Sequence, residues 1–316
     1  MSESPVAQRG PSLDLTAAEP LLRRLELTVR NRLDGLLQGN YVGLVPGPGS
    51  EAGESRQYTP GDDVRRMDWP VTARTTVPHV RQTIADRELE AWLVVDLSPS
   101  MDFGTALSEK RELVLAAITS VVHLTVRGGN RVGAIVGNGT DVYRFPALGG
   151  RNHARYLMRR IAATSRAESG GSASLTSMLE SLRRPPRRRG LIAVVSDFLE
   201  PVGPFEPPSW ERPLRALSER HQLLGIEVLD PRELELSAAG LVTFVDPETG
   251  RQLEVQTSSA ALRRDYAAAA QAQRAGIDRA LRHAGAAHLQ LRTDRDWISD
   301  VVRFVVTRRR AAAGVR

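Results

Sequence analysis

The spacing of apolar positions changes character twice along this chain, and the changes outline its organisation. Residues 1 to 18 are small and polar, include Pro5 and Pro11, and predict a disordered tail. From Leu21 to Leu37 apolar residues recur at helical spacing, at Leu22, Leu25, Leu27, Val29, Leu33, Leu36 and Leu37, and Gly39 and Asn40 end the run. One amphipathic helix is expected there. Between Tyr41 and Arg87 periodicity gives way to turn chemistry, including Gly47-Pro48-Gly49 and Pro60-Gly61-Asp62-Asp63.

Beyond residue 90 strands and helices alternate. Ala91 to Leu97 predicts a short apolar strand, and Glu109 to Val126 a helix with Val114, Ile118, Val121 and Thr125 on one face. Arg131–Val136 and Asp141–Phe145 flank an Asn138-Gly139 hairpin turn. Helices over Asn152–Ala163 and Ser174–Arg184 precede Leu191–Ser196, whose unbroken apolar run suits a strand buried on both faces. A helix over Pro213–His221, a strand over Leu223–Leu229 and a hairpin over Leu241–Val255 follow, the last turning at residues 246–250. The chain closes with a helix over Ala260–His283, a strand over His288–Leu291 and a helix over Trp297–Arg308. The expected fold class is α/β, a mostly parallel sheet with helices on both faces.

Composition removes several kinds of chemistry. The 316 residues contain no cysteine, which excludes disulfides, thiolate metal sites and cysteine nucleophiles. No signal peptide opens the chain, and apolar runs such as Leu191–Val195 fall far short of the roughly 18 residues of a spanning helix, so a cytoplasmic protein without a membrane span is expected. The formal charge is +6, but only Lys110 among the 43 basic residues is lysine, and the arginines are spread throughout. Such a skew resembles the codon bias of a GC-rich genome, and with aromatics at 5% no nucleic-acid partner is expected.

In an open parallel sheet, ligands gather beyond the carboxyl ends of the strands. Asp96-Leu97-Ser98-Pro99-Ser100 follows the first strand of the alternation, Asp197 follows the buried strand, and Gly170-Gly171-Ser172-Ala173-Ser174 lies between them at a helix start. Aspartate and serine before a helix also serve as turn and cap residues. The joint occurrence of three such loops favours a metal. Two carboxylates with several hydroxyls form an all-oxygen set suited to Mg²⁺ or Mn²⁺. An ion touching so few charges keeps an open position for a carboxylate of another protein.

These three loops resemble the metal-ion-dependent adhesion site of von Willebrand factor A domains. In addition Tyr58, Pro60, Gly61, Asp62, Asp63, Arg65, Arg66, Asp68, Trp69 and Arg74 fall within a stretch that resembles the signature of the bacterial domain-of-unknown-function 58 (DUF58) family. The resemblance spans roughly residues 20 to 308. It implies a von Willebrand factor A-like domain over residues 89–310, with a hairpin insertion at 240–257, behind an N-terminal segment at 19–88. It also implies Asp96, Ser98 and Ser100 as metal ligands, Ser172 in place of the usual threonine with Ser174 as the alternative, and Asp197 acting through water. The signature segment reads either as a structural wrap, its acids paired with its arginines and Trp69 packed on the sheet, or as a partner-binding surface.

The enzyme reading is metal-assisted hydrolysis, which needs a base or second metal. Asp102 is the one further carboxylate near the first loop, Lys110 follows Glu109 rather than the glycine of a phosphate-binding loop, and no histidine has metal-ligand spacing. A binding module is expected instead, with no catalytic residue. The resemblance implies as partner a MoxR-type AAA+ ATPase or its client, the chain acting as an adaptor in a chaperone-like or assembly system. A metal-free scaffold is the third reading.

Overall fold

The computed structural model describes residues 15–36, 55–59, 67–81, 90–126, 130–165, 173–182, 190–200 and 206–313. Its centre is a six-stranded sheet built from β3 (Glu90–Asp96), β4 (Arg131–Gly137), β5 (Val142–Leu148), β6 (Gly190–Ser196), β7 (Gln222–Leu229) and β10 (Ala286–Arg292). The spatial order is β10-β7-β6-β3-β4-β5, parallel throughout except for the antiparallel edge strand β5. β1 (Ser55–Gln57) and β2 (His79–Arg81) form a small antiparallel pair, and β8 (Leu241–Val245) and β9 (Gln252–Gln256) form another.

Alternation along the strands divides the core in two. Ala91, Leu93 and Val95 of β3 and Leu191, Ala193 and Val195 of β6 face one layer of helices. That layer holds α1 (Leu15–Leu36), α3 (Lys110–Val126), α4 (Arg151–Ala162) and α8 (Trp297–Ala313). Trp92, Val94, Ile192 and Val194 face the other, made of α5 (Leu175–Ser181), α6 (Glu211–Ser218) and α7 (Ala260–His283). Because the central strands are buried on both faces, their sequences are continuously apolar rather than alternating.

The first helix begins at Leu15, ahead of the expected Leu21. Ala17, Ala18 and Glu19 are good helix formers and carry the helix through Pro20, which forfeits one backbone hydrogen bond. Its buried residues Leu22, Leu25 and Val29 pack against α3, α4 and α8 rather than on the sheet. α3 is therefore sandwiched, and Leu113 to Thr125 are buried nearly all round, not on the single face that the spacing suggested. In the stretch read as turns, β1, β2 and α2 (Trp69–Thr75) are too short to create a periodic signal.

Candidate functional site at the carboxyl edge

Asp96 ends β3 and Ser196 ends its neighbour β6, so the parallel register brings the two together. Ser196 Oγ donates to Asp96 Oδ2 at 2.7 Å, and Ser98 N donates to Asp96 Oδ1 at 3.0 Å. Ser98 Oγ and Ser100 Oγ lie 3.2 Å apart, and the Ser100 hydroxyl is near enough to Asp197 to favour its charged form. Four of the expected site residues, Asp96, Ser98, Ser100 and Asp197, thus form one cluster. The loop is held from the next strand as well, since Leu97 N donates to Gly137 O at 2.7 Å.

Asp197 is aimed by an unusual turn. Phe198 has φ of 57°, a left-handed conformation disfavoured for a bulky residue, and its ring is buried edge-on against Trp210 at 5.2 Å. Phe198 N bonds to Ser196 Oγ and Leu199 N to Asp197 Oδ1, so the turn's own backbone donors converge on the two side chains it presents. Packing of this ring offsets the backbone strain.

The other Asp197 oxygen meets Lys110, the chain's sole lysine, at the start of α3. Lys110 is fully buried, its Nζ lying 2.8 Å from Asp197 Oδ2 and 2.6 Å from Glu233 Oε1. From Glu233 the network continues to Arg274 at 3.5 Å, from Arg274 to Glu227 at 3.0 Å, and from Glu227 to His288 at 2.9 Å. Asp230 closes the neighbouring loop by accepting from Thr105 N, Thr105 Oγ1, Arg232 N and Thr293 Oγ1.

These partners divide the two aspartates electrostatically. Burial pushes the Asp96 carboxyl up and the nearby Asp197 charge pushes it further, against the lowering effect of its serine hydrogen bonds. Burial also pushes Asp197 up, but the Lys110 ammonium outweighs it and holds Asp197 below the usual carboxylate range. The same pairing holds Lys110 above its usual value in spite of burial. Among the described residues no ammonium or guanidinium pairs with Asp96. The cluster therefore carries one carboxylate with a built-in counter-ion and one without.

An all-oxygen set of this kind fits Mg²⁺ or Mn²⁺, with the Asp96 carboxylate and the Ser98 and Ser100 hydroxyls as the candidate donors. Among the described residues no three His, Cys, Asp or Glu side chains converge on one metal position, so any cation would depend on the serine hydroxyls.

The remaining candidates separate. Ser172 lies outside the described residues, and Ser174 is the N-cap of α5, accepting from Ser177 N at 3.2 Å. Residues 60–66, and with them Pro60, Gly61, Asp62, Asp63, Arg65 and Arg66, also lie outside. Tyr58 N bonds to Pro78 O beside the β1–β2 pair, Asp68 caps α2 by accepting from Val71 N, and Arg74 is exposed in its last turn. Trp69 does not pack on the sheet as expected. It opens α2 and is 66% exposed, because α2 lies against β2 and buries none of its residues.

The sequence pattern gave no site role to Lys110, Glu233 or Arg274 and none to Ser196 beyond its place ahead of Asp197, and it singled out Asp102, which instead pairs with Arg111 at 3.1 Å. It also missed Glu248, at the tip of the β8–β9 hairpin, whose Oε1 accepts from Ser100 N at 3.1 Å. One available signal was a lone lysine among 43 basic residues.

The chain is similar to several known proteins. An uncharacterized protein of Mycobacterium tuberculosis is 52% identical over 316 residues, covering 98% of both chains. Among solved structures, the conserved hypothetical protein BatB from Bacteroides thetaiotaomicron is 16% identical with a TM-score of 0.42, covering 69% of this chain and 98% of that one. A von Willebrand factor type A protein from Catenulispora acidiphila is 14% identical with a TM-score of 0.35, covering 48% of this chain and 35% of that one. The model of the family described as protein of unknown function DUF58 matches residues 54–276, and the chain belongs to that family.

Proposed function

We propose that this chain is a metal-dependent protein–protein interaction module, holding Mg²⁺ or Mn²⁺ at Asp96, Ser98 and Ser100, with Ser172 or Ser174 as a further ligand and Asp197 one shell out. The observation that carries the reading is the asymmetry of the two carboxylates. Asp197 is neutralised by Lys110 while Asp96, beside it, has hydrogen bonds but, among the described residues, no cation. A divalent ion bound there would supply an electrophilic position for an oxygen ligand from outside. Lys110 would leave the ion with little more than the Asp96 charge against it, so an external carboxylate is attracted rather than repelled.

Binding rather than catalysis suits the surroundings of Asp96. The other acids around the cluster are engaged: Asp102 with Arg111, Glu233 with Lys110 and Arg274, Asp230 with four donors, and Glu248 with Ser100 N. Each of these carboxylates already has a donor or cation partner, which disfavours the free base that metal-assisted hydrolysis requires. The partner proposed is a MoxR-type AAA+ ATPase or its client, the chain acting as an adaptor; this rests on the family resemblance. Among the described residues no helix is long and apolar enough to cross a membrane.

The test is co-purification of the tagged chain with its partner, with and without EDTA, for wild type, Asp96→Ala and Arg308→Ala. Loss of the partner on chelation and in Asp96→Ala, but not in Arg308→Ala on the terminal helix, is expected. Equal recovery in every sample would overturn the metal edge as the interface. Sensitivity to salt rather than chelator would point to charge-driven association.

A further inference from the structure

The β8–β9 hairpin stands out from the sheet and carries Glu248 to the mouth of the Asp96 cluster. Its strands are mostly exposed, and its tip is stiffly built. Asp246 accepts from Glu248 N at 3.0 Å and from Thr249 Oγ1 at 2.5 Å, while Gly250, at φ of 70°, takes the left-handed position that closes the turn. At the base, buried Thr257 bonds through both N and Oγ1 to Gly240 O, and Gly240 has φ of 77°. Glu248 is thus aimed by a rigid tip on a hairpin whose ends meet at one closed base. The side chain is half-buried and its carboxylate accepts from the backbone N–H of Ser100.

We propose that Glu248 is an internal competitor for the partner's carboxylate, holding its place at Ser100 and closing the metal edge until a partner displaces the hairpin tip. This inference rests on the metal-binding reading above and adds a regulatory element to it. Three observations support it. The contact joins residues 148 positions apart, so it reflects the placement of the whole hairpin rather than a local turn. It falls on Ser100 itself, one of the three residues of the Asp-x-Ser-x-Ser loop. The group delivered is a carboxylate, the chemical class an ion at Asp96 would accept from outside. A partner then gains its contact only by breaking this one, which lowers its apparent affinity by the fraction of molecules in which the hairpin is closed.

The experiment titrates glutarate, as a probe for a side-chain carboxylate, into the Mn²⁺-loaded full chain by calorimetry. Wild type, Glu248→Ala, Glu248→Gln and Glu254→Ala are compared. Glu248→Gln keeps an oxygen acceptor for Ser100 N without the charge, and Glu254→Ala removes an exposed acid from the same hairpin. The proposal expects both Glu248 variants to bind glutarate at least about ten-fold more tightly than wild type, with Glu254→Ala unchanged. Equal glutarate affinity in all four proteins, with Mn²⁺ bound in each, would overturn the internal competitor and leave the metal site standing. A gain in Glu254→Ala as large as in the Glu248 variants would also overturn it, since general charge would then be the cause. If wild type takes up no Mn²⁺ at all, the metal-binding reading itself fails and this inference falls with it.

Discussion

Lys110 Nζ lies 2.8 Å from Asp197 Oδ2, and neither side chain has more than 3% of its surface exposed. A pair this buried owes its stability to mutual compensation, because either charge left alone in the interior would be strongly disfavoured. Lys110→Met leaves Asp197 and Glu233 without their shared cation. The expected loss is about 3–5 kcal/mol of folding stability, read from urea denaturation, with a smaller loss in Lys110→Arg, which restores the charge in a poorer shape. A Lys110→Met protein as stable as wild type would mean that the pair has no structural weight.

Asp96 gives the opposite expectation. Its folded pKa is raised above the usual 3.8, so the unfolded chain loses this proton first as pH rises. Stability contributed by the protonated group is therefore present below 3.8 and declines as pH rises through the folded value. In EDTA, Asp96→Asn should show a shallower decline over this range and a stability at neutral pH equal to or above that of wild type. Thermal melts across the acid range check this. A clear loss of stability in Asp96→Asn at neutral pH would contradict the destabilisation of the Asp96 charge by burial and by Asp197.

His288 supplies a second pH dependence. Burial pushes this imidazole down, but hydrogen bonds to Glu227 at 2.9 Å and Asp278 at 3.0 Å prevail and raise its pKa above 6.5. The folded state then holds the proton more tightly than the unfolded state does. The contribution is complete below 6.5 and is lost as pH rises through the folded value. Urea denaturation of wild type and His288→Gln at pH 6 and pH 9 should show wild type losing more stability between the two. Parallel losses in both proteins would remove His288 from the account.

Helix α1 tests how far the N-terminal segment belongs to the core. Leu25 is buried with Leu22 and Val29 against α3, α4 and α8. Leu25→Ala should cost about 2–4 kcal/mol, as expected for a buried leucine leaving a cavity. Removing residues 1–36 should expose the outer face of α3 and give a chain that binds hydrophobic dyes and melts without cooperativity. A cooperative melt near that of the full chain would show α1 to be a separable arm.

The parts of this molecule legible in the sequence are those written in local pattern. The unbroken apolar run Leu191–Val195 marked a strand buried on both faces, and Asn138-Gly139 marked a hairpin whose Asn138 Oδ1 accepts from Thr140 N and Asp141 N. Asp96, Ser98 and Ser100 are spaced along one loop and so announced themselves together. What could not be read depends on register between distant strands. Ser196 meets Asp96 because β6 lies beside β3, Lys110 meets Glu233 across 123 positions, and Glu248 meets Ser100 through a hairpin. Trp69 was misread because a large aromatic suggests burial, while its short helix lies against β2.

The most direct measurement of the central claim is calorimetric titration of Mn²⁺ into EDTA-stripped full chain, for wild type and Asp96→Ala. Wild type is expected to bind at one site per chain and Asp96→Ala to show no measurable binding, with superimposable far-ultraviolet circular dichroism for the two proteins. Equal Mn²⁺ binding by both proteins, or none by a folded wild type, would contradict that claim.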